Sequence, residues 1–168
     1  MNNKELNSIL KERARSLGLC DQWFGEWKSD ESQDELVEKY KKGLDFSIKR
    51  DYPGNDFIKK YFDSNILHRH NVYVDERVPV KGESGVWVIN GQCNGVIVFD
   101  EWSAATLYIR HNSKLKVVCA GHSKVFISVF DQSEVEVYSM ENSCVYVYKN
   151  GERCKCVTSE GVRVREKK

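Results

Sequence analysis

A ten-residue period dominates the second half of the chain. From residue 101 the sequence divides into EWSAATLYIR, HNSKLKVVCA, GHSKVFISVF, DQSEVEVYSM and ENSCVYVYKN. Serine recurs at Ser103, Ser113, Ser123, Ser133 and Ser143. Two residues later stands Ala105, Leu115, Val125, Val135 or Val145, and two later again Leu107, Val117, Ile127, Val137 or Val147. The pattern extends backward through Cys93, Gly95, Ile97 and Phe99, and before them Gly85, Trp87 and Ile89; it decays after residue 150. Such a repeat implies one small unit stacked on itself, because a single unit cannot bury its own apolar side.

Successive side chains of a strand point to opposite faces. The apolar face is odd-numbered in every unit. A meander of two-residue hairpins would reverse that parity from strand to strand. Longer hairpin loops could restore it, but alternate strands would then place their serines at opposite ends. A parallel solenoid stacks equivalent positions instead, serine on serine. The simplest coil has two units, about twenty residues, although three units per coil would satisfy the same parity. In the two-unit coil Gln92, Asn112 and Gln132 stack along one corner. Their amides and the serines Ser103, Ser113, Ser123, Ser133 and Ser143 form a candidate corner ladder that satisfies buried polar groups. Gly, Asn, Asp and His at the other corner positions suit turns with unusual dihedrals.

Even-numbered residues face outward. On one sheet these are Val86, Val88, Thr106, Tyr108, Phe126, Ser128, Tyr146 and Tyr148; on the other, Val96, Val98, Lys116, Val118, Glu136 and Tyr138. The first set is too apolar for a fully solvated sheet. Its rings Tyr108, Phe126, Tyr146 and Tyr148 are the candidate binding surface, to be covered by the helical region or by a second subunit.

Residues 1–66 read as a small helical region, 67–81 as a connecting segment and 82–168 as the solenoid. Leu6, Ile9, Leu10, Ala14 and Leu17 share one helical face. Ser32-Gln-Asp-Glu35 is a capping-box pattern that opens a helix over 33–43. Asp51-Tyr-Pro-Gly-Asn55 is a turn, with Asn55 placed to cap a third helix through Phe62. Trp23, Trp27, Tyr40, Phe46, Phe57, Ile58, Tyr61 and Phe62 supply a compact core for so short a region.

Lys/Arg and Asp/Glu number 26 and 25, and neither half is a polycation, so charge gives no reason to expect nucleic acid as a partner. The opening Met-Asn-Asn-Lys-Glu-Leu has no apolar signal segment, no run is long enough to cross a bilayer, and six cysteines fit a reducing, cytoplasmic setting. His68-Arg-His70 has the look of a two-histidine pair on a strand, but no acid or thiol accompanies it in sequence, and no metal site or cofactor is expected. Cys119-Ala-Gly-His122 brings a thiol near an imidazole, yet parity turns Cys119 inward. Cys154-Lys-Cys156 lies in the decaying part of the repeat. Glycosidase chemistry on a solenoid needs clustered outward acids, and the chief candidates are Glu134 and Glu136 alone. No P-loop, GxGxxG or nucleophile elbow is present.

The units HNSKLKV, GHSKVFI, DQSEVEV and ENSCVYV resemble the decapeptide repeats of uncharacterised phage and bacterial proteins. With LGLCDQWFGEW, DYPGNDFIKKYF and YVDERV before the repeats, most of the chain resembles uncharacterised proteins of gut Bacteroidota and their prophages or mobile elements. The resemblance implies the solenoid and a phage-like setting, and carries no catalytic residues. The expectation is a mainly β chain with an α-helical N-terminal region, acting as a non-catalytic assembly or adaptor protein. It would engage a protein partner or a second copy of itself, away from nucleic acid and membrane. A small-ligand or glycan-binding module and an enzyme are the alternatives.

Overall fold

The structure, a computed structural model, describes residues 1–167 and divides into two compact units, residues 1–70 and the chain from Asn71 onward.

The first unit is helical. Its α1 (Asn3–Ser16) opens on a capping box in which Asn2 accepts from the Glu5 N–H and Glu5 reaches back. Leu6, Leu10 and Ala14 are buried, while Ile9 lies off that stripe and is exposed. After α2 (Asp21–Glu26), α3 (Gln33–Lys42) starts from the expected Ser32–Glu35 capping box. Three short helices follow: α4 (Leu44–Arg50), α5 (Asn55–Tyr61) and α6 (Ser64–Arg69). Asn55 is not the cap of α5. Gly54, at φ +90°, holds that position without a side-chain bond, and Asn55 is already in the first turn. Trp27 and Tyr52 join Leu6, Leu10, Ala14 and Leu36 in the core, with Phe46, Phe57, Tyr61 and Phe62 packed against them. Buried Asn7 serves both sides of this core, donating to the Glu31 carbonyl (2.7 Å) and accepting from the Trp27 indole (3.0 Å).

The second unit is a parallel β-solenoid of about five turns. A six-stranded sheet runs β1 (Val72–Val74), β2 (Gly85–Asn90), β4 (Ala104–Ile109), β6 (Lys124–Phe130), β8 (Cys144–Asn150), β10 (Arg163–Lys167). A four-stranded sheet runs β3 (Asn94–Phe99), β5 (Lys114–Cys119), β7 (Glu134–Ser139), β9 (Lys155–Thr158). Trp87, Leu107, Ile127 and Val147 stand in one register row, and Ile97, Val117 and Val137 in another. Every pairing between named strands is parallel, as expected from the odd parity of the units through Val147. Residues 67–81, read as a connector, end α6 and then supply β1 and a segment that bridges β3 at Arg77↔Asn94 and Lys81↔Val98.

The core tapers along the stack. Tyr73 stacks on Trp87 (5.6 Å between centroids), and Phe99 meets Trp87 edge-on (5.8 Å). Gly82 is required here because a Cβ would lie 2.5 Å from the Phe99 ring. In later coils the Phe99 row continues as Cys119 and Ser139, and the Trp87 row as Leu107, Ile127 and Val147. Beyond residue 150 the register changes. Val135 pairs with Cys156 and Val147 with Val164, so one corner gains a residue and the last coil shortens.

Each corner turns through a residue with positive φ: Glu101 (55°), His111 (64°), Asp131 (57°) and Glu141 (57°), or Gly91, Gly121, Gly151 and Gly161. A non-glycine residue there is strained by about 1–2 kcal/mol. Three of the four return a hydrogen bond to the coil behind. His111 Nδ1 accepts from the Gly91 N–H (2.9 Å), Asp131 from the His111 N–H (2.9 Å), and Glu141 from the Gly121 N–H (2.6 Å). The serines complete the corners. Ser113 donates to the Gly91 carbonyl, Ser133 to that of His111, Ser143 to those of Cys119 and Met140, and Ser103 to that of Asp100. The buried Ser123 hydroxyl has no partner among the described residues. Cys93 and Cys154 occupy the same corner position and donate to the carbonyls of Asn90 and Gly151. The expected amide ladder does not form this way. Gln92, Asn112 and Gln132 are exposed, and carboxylates and hydroxyls take the corner groups instead.

Ile127 is fully buried, so Ile127→Asp leaves an unpaired charge in a narrow core and should unfold the solenoid. Ser133→Ala removes one hydrogen bond and should cost only about 1 kcal/mol, both read by urea denaturation. Asp131→Ala loses the carboxylate bond but keeps the strained dihedral, whereas Asp131→Gly relieves the strain. The alanine variant should therefore be the less stable by roughly 1 kcal/mol; the reverse order would show that the left-handed dihedral at Asp131 carries no strain.

Candidate functional site

The outer face of the six-stranded sheet carries the aromatic side chains singled out in the sequence. Register sets Thr106, Phe126, Tyr146 and Arg163 in one outward row, and Tyr108, Ser128, Tyr148 and Arg165 in the next. Phe126 and Tyr146 stack, with centroids 5.2 Å apart and planes 12° from parallel. Tyr108 does not reach Tyr148, because the small Ser128 lies between them in register; it stacks instead on Phe130, one pair further along β6 (6.5 Å, 17°). Of the four expected rings, Phe126 and Tyr146 therefore stack on each other, Tyr108 stacks on Phe130, and Tyr148 lies outside both stacks. All four are half-buried. Val88, expected outward beside them, is fully buried.

Cations close over the rings. Lys124 lies 5.5 Å from the Phe126 centroid, Arg163 lies 5.2 Å from that of Tyr146 and donates to its hydroxyl (2.7 Å), and Lys167 lies 5.6 Å from that of Tyr148. The sequence read the rings but not these partners, because Arg163 and Lys167 lie beyond the point where the ten-residue pattern decays. The four-stranded sheet has a different outer face. There Lys114, Glu134 and Lys155 form an alternating charge row (3.9 and 3.4 Å), beside Lys116 over Tyr138. That is a solvated surface of the ordinary kind.

The other candidate residues are dispersed. His68 belongs to α6 and His70 caps it, so the pair is helical rather than on a strand. His70 Nε2 lies 2.9 Å from Asp34, and Arg69 makes two 3.1 Å bonds to the same carboxylate. Together they tie α6 to α3 and hold the Asp34 carboxyl below its ordinary range, the His70 hydrogen bond foremost. Cys119 points inward and is buried, whereas His122 is exposed on a corner and stacks on Trp102 (4.2 Å, 7°). Among the described residues no three His, Cys, Asp or Glu side chains converge as a metal site, and no helix is long and apolar enough to cross a membrane. A shallow groove of about 590 Å³ runs past His111, Asp131, Asn150 and Arg153, but His111 and Asp131 are engaged by corner N–H groups. No protein-family model, curated protein or solved structure matches the chain.

The inward thiols have a measurable consequence. Burial pushes Cys119 from the usual 9.0 up to about 12, and Cys93 and Cys156 up to about 11. Each folded-state value lies above the unfolded one, so this contribution is complete below pH 9.0 and is lost as pH rises toward 12. The urea midpoint should fall over that window. Cys119→Ala should make the fall shallower, by up to one proton's worth of slope.

Proposed function

We propose that this protein is a non-catalytic interaction protein whose solenoid presents the outer face of its six-stranded sheet to a protein partner. The observation that carries this reading is the in-register stack of Phe126 on Tyr146 with Lys124 and Arg163 against the rings. Rings held by their neighbours lose little conformational freedom on binding, and aromatic and arginine side chains are favoured anchors at protein interfaces. The salt-bridged face of the other sheet offers no comparable cluster. Self-association through the same face is one outcome of the test below. An assembly or adaptor role of phage or mobile-element origin, implied by the resemblance of the repeats, is part of the same proposal. So is a solenoid of two ten-residue units per coil, supported by the twenty-residue step from Leu107 to Ile127 to Val147. A reducing, cytosol-like compartment is supported by six free cysteines.

A separate observation favours a second reading, a glycan or small-ligand site. Trp102 is 79% exposed although its ring is held parallel to His122. A flat pair of this kind offers one open face to a sugar or planar ring.

The two readings part experimentally. A photo-crosslinking phenylalanine at position 146, introduced in cells that make the protein, should yield a discrete protein adduct. The same group at position 116, on the other sheet, should not. Phe126→Lys with Tyr146→Lys should leave the fold intact and abolish competition for that adduct; light scattering then states whether the adduct is a second copy. Equal adducts from both positions, or none, would overturn the interaction reading. Binding to a glycan array lost with Trp102→Ala would support the second.

A further inference from the structure

The outer edge of β10 is an unpaired sheet edge. β10 is the last strand of the six-stranded sheet, pairs with β8 alone, and all its residues are exposed. Its outward-turned N–H and C=O groups meet no strand among the described residues, and such an edge is a template for an added one. The inward row is open at the same place. Val147 is fully buried, whereas its register partner Val164 is 42% exposed. A strand laid beside β10 would cover Val164 as each coil covers the one before.

Charge states what that strand must carry. Arg163 and Arg165 fall in the outward rows of Tyr146 and Tyr148, and Lys167 is the next alternate residue. Side chains directly opposite one another across paired strands attract when their charges differ and repel when they match. A second copy pairing two-fold at this edge, centred on Arg165, would set Arg165 against Arg165 and Arg163 against Lys167. The same row accepts acids at alternate positions, with aliphatic residues between them to meet Val164.

We propose that the β10 edge is a strand-addition site for an extended acidic segment of a partner protein, alternating Glu or Asp with aliphatic residues. It does not rest on the aromatic face, because the contact is main-chain pairing along the edge.

The test titrates the full chain into a fluorescein-labelled peptide of alternating glutamate and valine, read by anisotropy, beside a lysine–valine peptide of equal length. The glutamate peptide should bind and the lysine peptide should not. Arg163→Glu with Arg165→Glu should weaken the first by about tenfold or more and admit the second. Arg165→Glu alone should act in the same direction if the double change disturbs the Arg163–Tyr146 contact. N-methylation of alternate residues in the glutamate peptide should abolish binding without altering its charge. No binding of the glutamate peptide, equal binding of its N-methylated form, or a charge reversal without effect would overturn the proposal. So would tighter binding of an oligothymidine of equal charge, which would assign the basic row to nucleic acid.

Discussion

Parallel hydrogen bonding between coils, held in one register from Trp87 to Val147, is the constraint on which the rest of the solenoid depends. It sets neighbouring coils about 4.8 Å apart and places each residue on its equivalent. Every choice made once is then repeated along the stack. An aliphatic residue inward becomes a continuous core, and a ring outward becomes a stack. A slip by one residue would exchange the two faces. After residue 150 one corner lengthens and the last coil shortens, yet Cys156 still pairs with inward Val135 and Val164 with inward Val147.

The corners are where this regularity is hardest to sustain. A parallel coil must reverse direction within a few residues, and left-handed backbone is the local answer. Glycine adopts it freely. His111, Asp131 and Glu141 do not, and each accepts a hydrogen bond from the previous coil that offsets the strain. These side chains are therefore occupied by backbone. At the corner beside the groove, the histidine and the aspartate are each committed to a backbone N–H rather than to one another's side chain.

The two outer faces diverge although they obey one register. On the four-stranded sheet, alternating lysine and glutamate make rungs whose strength is modest and sensitive to salt. On the six-stranded sheet, rings stack on rings and cations rest against them. Ring faces present apolar area that charged rungs do not, which is why the proposed interaction uses this face and not the other. The asymmetry is written into the outward positions alone, even-numbered as far as Tyr148 and odd-numbered at Lys155 and Arg163, where the register has changed.

Parity and the recurring serine were enough to read parallel stacking, the inward rows and the outward aromatic face, because period-two alternation and a fixed repeat are local properties of the chain. The Ser32–Glu35 capping box was legible for the same reason: it spans one turn. What only the tertiary structure decided depends on coils meeting each other. Which corner groups satisfy which is set by the left-handed turns, and the stacking amides proved to be exposed while His111 and Asp131 took the backbone. Tyr108 stacking on Phe130 follows from the small Ser128 beneath it in register. The cations over the rings, and β1 inside the supposed connector, lie outside the clear repeat, where neighbours in space are no longer given by counting residues.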